Sequence, residues 1–190
     1  MAGETQKTTA LTNRDSETLR AARLVNGKTV TAMDTHQFPT TATLEAGDNL
    51  IMNIPIPSNA IIQEIAMYND DLDTHACAPT LVIDIGVAAA KDYTDITSGT
   101  STKHLKDAII DSDLFVDGDT TGRAATTKWT ALGLDSATFG PDDALKQVWE
   151  LLGYDSDPKT VFNIVVQSQA ASAALSAAGD MAIRVIYSVD

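Results

Sequence analysis

The strongest constraint on this chain is a strict two-residue alternation near its C-terminal end. Met181, Ile183, Val185, Tyr187 and Val189 are apolar at every second position. That period puts all five on one face of an extended strand, and no helix, with its period of 3.6, would gather them. The segment Thr160 to Gln167 repeats the pattern with Phe162, Ile164 and Val166. The chain therefore closes on two half-buried strands.

The same signature recurs upstream. Asn49 to Ile56 carries Leu50, Met52, Ile54 and Ile56 on one parity, and Pro55 and Pro57 then end the strand or mark it as an edge, because proline cannot donate to a ladder. Ser58-Asn59-Ala60 forms a turn, Ile61 to Tyr68 alternates again, and Asn69 to Thr74 reads as an acidic loop. Thr80 to Val87 supplies Leu81, Ile83, Ile85 and Val87. Three strands so closely spaced predict an antiparallel, meander-like region.

Residues 88–158 read as a loop-rich insertion with short helices. Lys103 to Ile110 has a weak helical pattern, and Pro141 to Leu152 a better one, with Asp142 and Asp143 at the positive helix end, Gly153 as a stop, and Leu145, Val148, Trp149 and Leu152 on one face packed against the body. The Ala- and Ser-rich stretch from Ser168 to Gly179 is expected to be a loop between the last two strands. Residues 1–43 read as an extended N-terminal arm and 44–190 as the folded domain. With strands at both ends and few helices, the expected class is all-β, a β-sandwich or jelly roll.

Charge narrows the function classes. The 13 Lys and Arg against 26 Asp and Glu leave a net charge of −13, which repels phosphate backbones and anionic membranes, so neither nucleic acid nor membrane is expected as a partner. Residues 1–30 depart from this, with Lys7, Arg14, Arg20, Arg23 and Lys28 against Glu4, Asp15 and Glu17. A basic leader on an acidic body suits an arm that docks on a neighbour, and Arg14, Arg20, Arg23 and Lys28 are its candidate contact residues. A lone Cys77 excludes an internal disulfide and fits assembly in a reducing cytoplasm. No apolar run approaches the roughly 20 residues that span a bilayer, and the first 25 residues lack the apolar core of a signal peptide.

Chemistry-bearing groups are sparse. His75 and Cys77 are the one suggestive nucleophile–base pair, but no third group is placed to orient them, and a small thiol near a core is the ordinary case. His36, His75 and His104 have no metal-ligand spacing. The carboxylate clusters at Asp70, Asp71 and Asp73, at Asp111 and Asp113, at Asp117 and Asp119, and at Asp155 and Asp157 do not match a calcium loop, and Asp commonly serves turns through local backbone hydrogen bonds. Gly-rich phosphate loops are missing. No catalytic residue, metal or cofactor is expected, and the chain reads as non-enzymatic.

Three segments together carry a resemblance: Ile54-Pro55-Ile56-Pro57-Ser58-Asn59-Ala60-Ile61-Ile62-Gln63-Glu64-Ile65, then Asn69-Asp70-Asp71-Leu72-Asp73, then Thr80-Leu81-Val82-Ile83-Asp84-Ile85-Gly86-Val87. This order of strand, proline turn, strand, acidic loop and "Leu-x-Leu-Asp-x-Gly"-type strand resembles small virion structural proteins of tailed bacteriophages, of the capsid decoration (cement) type. The close of the chain, from Val161 to Gln167 and from Met181 to Asp190, is similar too. The resemblance covers about half the chain, and the leader before Leu44 and the stretch from Asp92 to Asp157 depart from it. It implies a homo-oligomer, most often a trimer, seated on the surface of the virion capsid and bound to the major capsid protein. A head–tail connector, a tail component or a carbohydrate-binding adhesion module remain alternatives; the last would use exposed aromatics such as Trp129, Trp149, Tyr93 and Tyr154.

Overall fold

In a computed structural model, the structure describes residues 5–7, 28–39, 44–74, 78–134, 143–170 and 179–189. Their strands are β1 (Thr5–Lys7), β2 (Lys28–Gln37), β3 (Asn49–Pro57), β4 (Ala60–Asn69), β5 (Val82–Ala89), β6 (Tyr93–Thr97), β7 (Thr100–His104), β8 (Ile109–Asp119), β9 (Thr130–Ala131), β10 (Val161–Ala170) and β11 (Asp180–Val189). One helical turn, α1 (Val148–Leu151), and a 3-10 turn at Thr121–Arg123 complete the elements. The expected all-β sandwich is what forms.

Two sheets build it. One has the order β1-β3-β10-β5-β8 and the other β2-β11-β4-β9, while β6 and β7 make a separate hairpin. The alternating apolar residues meet between the sheets: Met52, Ile54 and Ile56 of β3, Ile164 and Val166 of β10 and Ile85 and Val87 of β5 face Ile65 and Met67 of β4 and Ile183, Val185 and Tyr187 of β11 in one continuous core. Burying these side chains is the main stabilising term, about 1.5–3 kcal/mol for each large one. The hydroxyl of Tyr187 crosses the core to donate to the carbonyl of Pro55 at 3.2 Å. A smaller cluster of Ile51, Ala88 and Val165, closed by Ile109, lies apart from the main core, and these residues sit on the opposite parity of their strands. That is why β3 and β10 carry apolar residues on both parities.

Several expectations change. The meander does not form, because β3 and β5 lie in one sheet and β4 in the other. The turn after Pro57 carries the chain across the sandwich instead of back along the same sheet, and alternation alone does not tell these two routes apart. Lys28–Gln37, read from the sequence as part of an arm, forms β2, paired with β11 through ten consecutive residues. Within residues 88–158, β8 belongs to the five-stranded sheet, so this stretch is no mere insertion. Lys103 and His104 end β7 and Ile109 and Ile110 start β8; a turn with Asp107 at φ 65° replaces the expected helix.

The helix expected over Pro141–Leu152 shortens to α1. Gln147 and Glu150 cap it reciprocally, Val148 and Leu151 are buried, and Leu145 is 84% exposed, not packed on the body. Pro141 and Asp142 lie outside the described residues, as do residues 171–178 of the expected Ala-rich loop; Ser168–Ala170 end β10.

Candidate interaction surfaces

The proposed contact residues Arg14, Arg20 and Arg23 lie outside the described residues, and so do His75 and Cys77. Lys28 opens β2, opposite Val189. The remaining candidates fall into turns and two surfaces.

Most of the carboxylates named from the sequence accept from backbone N–H groups, while Asp117 accepts from the side-chain amide of Gln169. Asp73 accepts from Thr80 at 2.7 Å and Leu81 at 2.9 Å, Asp119 from Thr121 at 2.6 Å, Asp157 from Lys159 at 2.8 Å, and Asp70 from Asp180 at 2.9 Å. Asp155 accepts from both Ser98 and Gly99 and so closes the β6–β7 turn. These are the turn and cap roles Asp favours. Among the described residues no group of three or more His, Cys, Asp or Glu is arranged to hold a metal ion.

Asp84 and Asp111 differ from the others. Burial raises the pKa of Asp84, against the opposing hydrogen bond from Gly118 N–H at 2.8 Å, with Asp117 and Asp113 adding repulsion. Burial also lifts Asp111 to about 6, assisted by its side-chain hydrogen bond with Asp113. Both groups are held where a negative charge is disfavoured.

The β6–β7 hairpin stands on a polar and aromatic base. Tyr93 and Tyr154 share a hydroxyl–hydroxyl hydrogen bond of 2.7 Å, and Tyr93 packs edge-on against Phe162 and stacks on His104. His104 Nε2 lies 2.8 Å from Asp95 Oδ1, while Thr97 donates to Asp95 Oδ2 at 2.8 Å. Burial raises both phenols, so they stay protonated donors. This network orients the hairpin and leaves Ile96 exposed on it.

The outer face of the four-stranded sheet gathers the second surface. Arg184 on β11 stands between Met33 on β2 and Ala66 on β4. Its guanidinium pairs with Glu64 at 2.6 Å and lies over the Trp129 ring at 4.9 Å from the centroid. Tyr68, 43% exposed, approaches the same indole, and Met33, opposite Arg184 on β2, is 67% exposed. Met, Tyr, Trp and Arg are the residues enriched at the cores of protein–protein interfaces. The alternation of β11 leaves Arg184 on the face opposite its apolar residues, but its neighbours, from β2, β4 and the segment leading into β9, were not visible in the sequence.

The aromatics suggested for sugar binding are otherwise employed. Tyr93 and Tyr154 are buried, Trp149 donates to Gln147 at 2.6 Å and is half-buried, and one face of Trp129 is covered by Arg184. His36 is kept neutral by burial, against the pull of Asp34 and Asp180, and its ring packs edge-on on Phe38.

No protein-family model matches the chain, and no curated protein matches it. Solved structures do share its fold. A chain of the capsid of Ralstonia phage GP4 is similar over 98% of this chain and 98% of its own length, with a TM-score of 0.58 and 16% identity. A chain of the capsid asymmetric unit of cyanophage Pam1 is similar over 92% of this chain and 94% of its own, with a TM-score of 0.54 and 16% identity. At that identity the likeness establishes the fold.

Proposed function

We propose that this chain is a non-enzymatic structural protein of a tailed-bacteriophage virion, seated on the head as a decoration (cement) protein that binds the major capsid protein lattice and strengthens contacts between capsomers. The observation that carries this reading is the extent of the likeness, which spans 98% of this chain and 98% of a chain found in a phage capsid. The charge of −13 supports a place away from packaged DNA, which an acidic body repels. The aromatics that would serve sugar stacking are instead engaged in packing and hydrogen bonding, which also supports a structural role.

In this reading the copies form a homotrimer, and the N-terminal segment, with Arg14, Arg20, Arg23 and Lys28, makes the principal capsid contact. A trimer presents three linked copies of a weak contact and so multiplies its affinity through effective concentration. Quantitative mass spectrometry of purified particles tests the assignment. Hundreds of copies per particle, in fixed ratio to the major capsid protein, are expected. A dozen or fewer would indicate a connector or tail role, and absence from particles would overturn the virion assignment.

A further inference from the structure

Strand β1 is three residues long, lies at the edge of the five-stranded sheet, and pairs in parallel with β3 alone, Thr5 opposite Asn49, Gln6 opposite Leu50 and Lys7 opposite Ile51. The slot it fills is bounded. Beyond Ile51 the β3 edge is closed to another strand, because the N–H of Asn53 is taken by Asp34 at 2.7 Å and Pro55 and Pro57 have none to offer. At the other end the chain turns at Gly47, with φ 88°, and the N–H of Asp48 is taken within that turn by the Glu45 carbonyl at 3.1 Å. The edge therefore accepts a short strand at one place only.

The connection from β1 is much longer than its own fold needs. Lys7 stops level with Ile51. Lys28 pairs with Val189, whose other partner is Ala60, so β2 begins at the end of the sandwich where β3 finishes. The gap is thus the length of β3 from Ile51 to Pro57, about 20 Å, plus the spacing between two packed sheets, about 10 Å. About nine extended residues would close it. The sequence supplies the twenty residues 8–27. The surplus corresponds to about 40 Å of reach.

A three-residue parallel pairing also holds weakly. Each of its hydrogen bonds contributes about 1 kcal/mol net, against about 1–2 kcal/mol for ordering each residue. Among the described elements β1 packs chiefly on β3, and the same three residue pairs form whichever copy supplies the strand. Exchange of an identical element is a low-cost way to join protomers.

We infer that in the assembled oligomer β1 is exchanged, the Thr5–Lys7 strand of one copy occupying the Asn49–Ile51 edge of a second copy. The inference rests on the homo-oligomer reading above. It makes the N-terminal segment a tie between copies, which joins them as well as reaching the capsid.

Disulfide trapping tests it in full-length protein lacking the native thiol (Cys77→Ser). One preparation carries Thr5→Cys and another Asn49→Cys; they are mixed, allowed to re-equilibrate and oxidised. A covalent heterodimer, identified by its mass on a non-reducing gel and by mass spectrometry, is the expected product, since facing positions of adjacent strands lie within disulfide reach. The double variant, Thr5→Cys with Asn49→Cys, is expected to give a ladder of linked chains. Internally closed monomers alone, or no disulfide in either format, would overturn the exchange. The pair Lys7→Cys and Ile51→Cys repeats the test should Asn49→Cys disturb the turn at Gly47. Light scattering on the same samples separates the two ideas: an oligomer with only closed monomeric disulfides refutes exchange and leaves the oligomer standing, whereas a monomer refutes the oligomer itself.

Discussion

The two long outer strands, β2 and β8, end opposite sheets of the sandwich and are built in different ways. β2 pairs with β11 through ten residues without a break, whereas β8 pairs with β5 through three register shifts. Between Val87 opposite Asp111 and Ile85 opposite Val116, β8 spends five residues where β5 spends two. The excess folds β8 on itself, so that Leu114, Phe115 and Val116 are all buried in succession where a flat strand would bury every second one. Gly86 makes the fold-over possible: a Cβ there would lie 2.0 Å from the Asp111 carbonyl oxygen. A regular edge is interchangeable at most positions, while a bulged edge depends on particular residues.

Substitutions at the two strands sharpen that contrast, and the largest effect belongs to β8. Phe115 is fully buried, and Phe115→Ala is expected to cost about 4 kcal/mol in urea unfolding through lost burial and a cavity. Gly86→Ala comes next, at about 3 kcal/mol, since the Asp111–Ser112 backbone of β8 must give way. A smaller loss than 1 kcal/mol for Gly86→Ala would show that the bulge is not held as described.

Asp111→Asn has an effect that depends on pH. The folded carboxyl, raised to about 6, binds its proton more tightly than in the unfolded chain, where a carboxylate titrates near 4. This group therefore favours the folded state at low pH, and that contribution is lost as pH rises from about 4 through about 6. Asn stays neutral throughout, so the variant should melt higher than the parent at pH 7.5 and converge with it near pH 4. Parallel melting curves across that range would contradict the buried-charge account. The smallest effect belongs to β2: Met33→Lys, at an exposed site on a regular strand, should shift stability by less than about 0.5 kcal/mol.

The same contrast explains what the sequence made legible. β3, β4, β5, β10 and β11 showed themselves because a whole face of each strand is buried. β2 did not, since its inward positions Val30, Ala32, Asp34 and His36 are only half-buried and its outward ones are mostly Thr, so no apolar alternation arises. β8 was hidden by its bulge, which breaks the period that would have revealed it. The interaction surfaces were less legible still. The Arg184, Glu64 and Trp129 cluster draws on strands β11 and β4 and on the segment leading into β9, and only the sheet order brings them together. The hairpin base joins Tyr93 to Tyr154 across sixty-one positions.

The most direct test of the structural assignment is to locate the protein in intact particles by electron cryomicroscopy. The account predicts sandwich-shaped density on the outer surface, repeated at equivalent lattice positions over the whole head. A shell without that density, in particles shown to be complete, would contradict it.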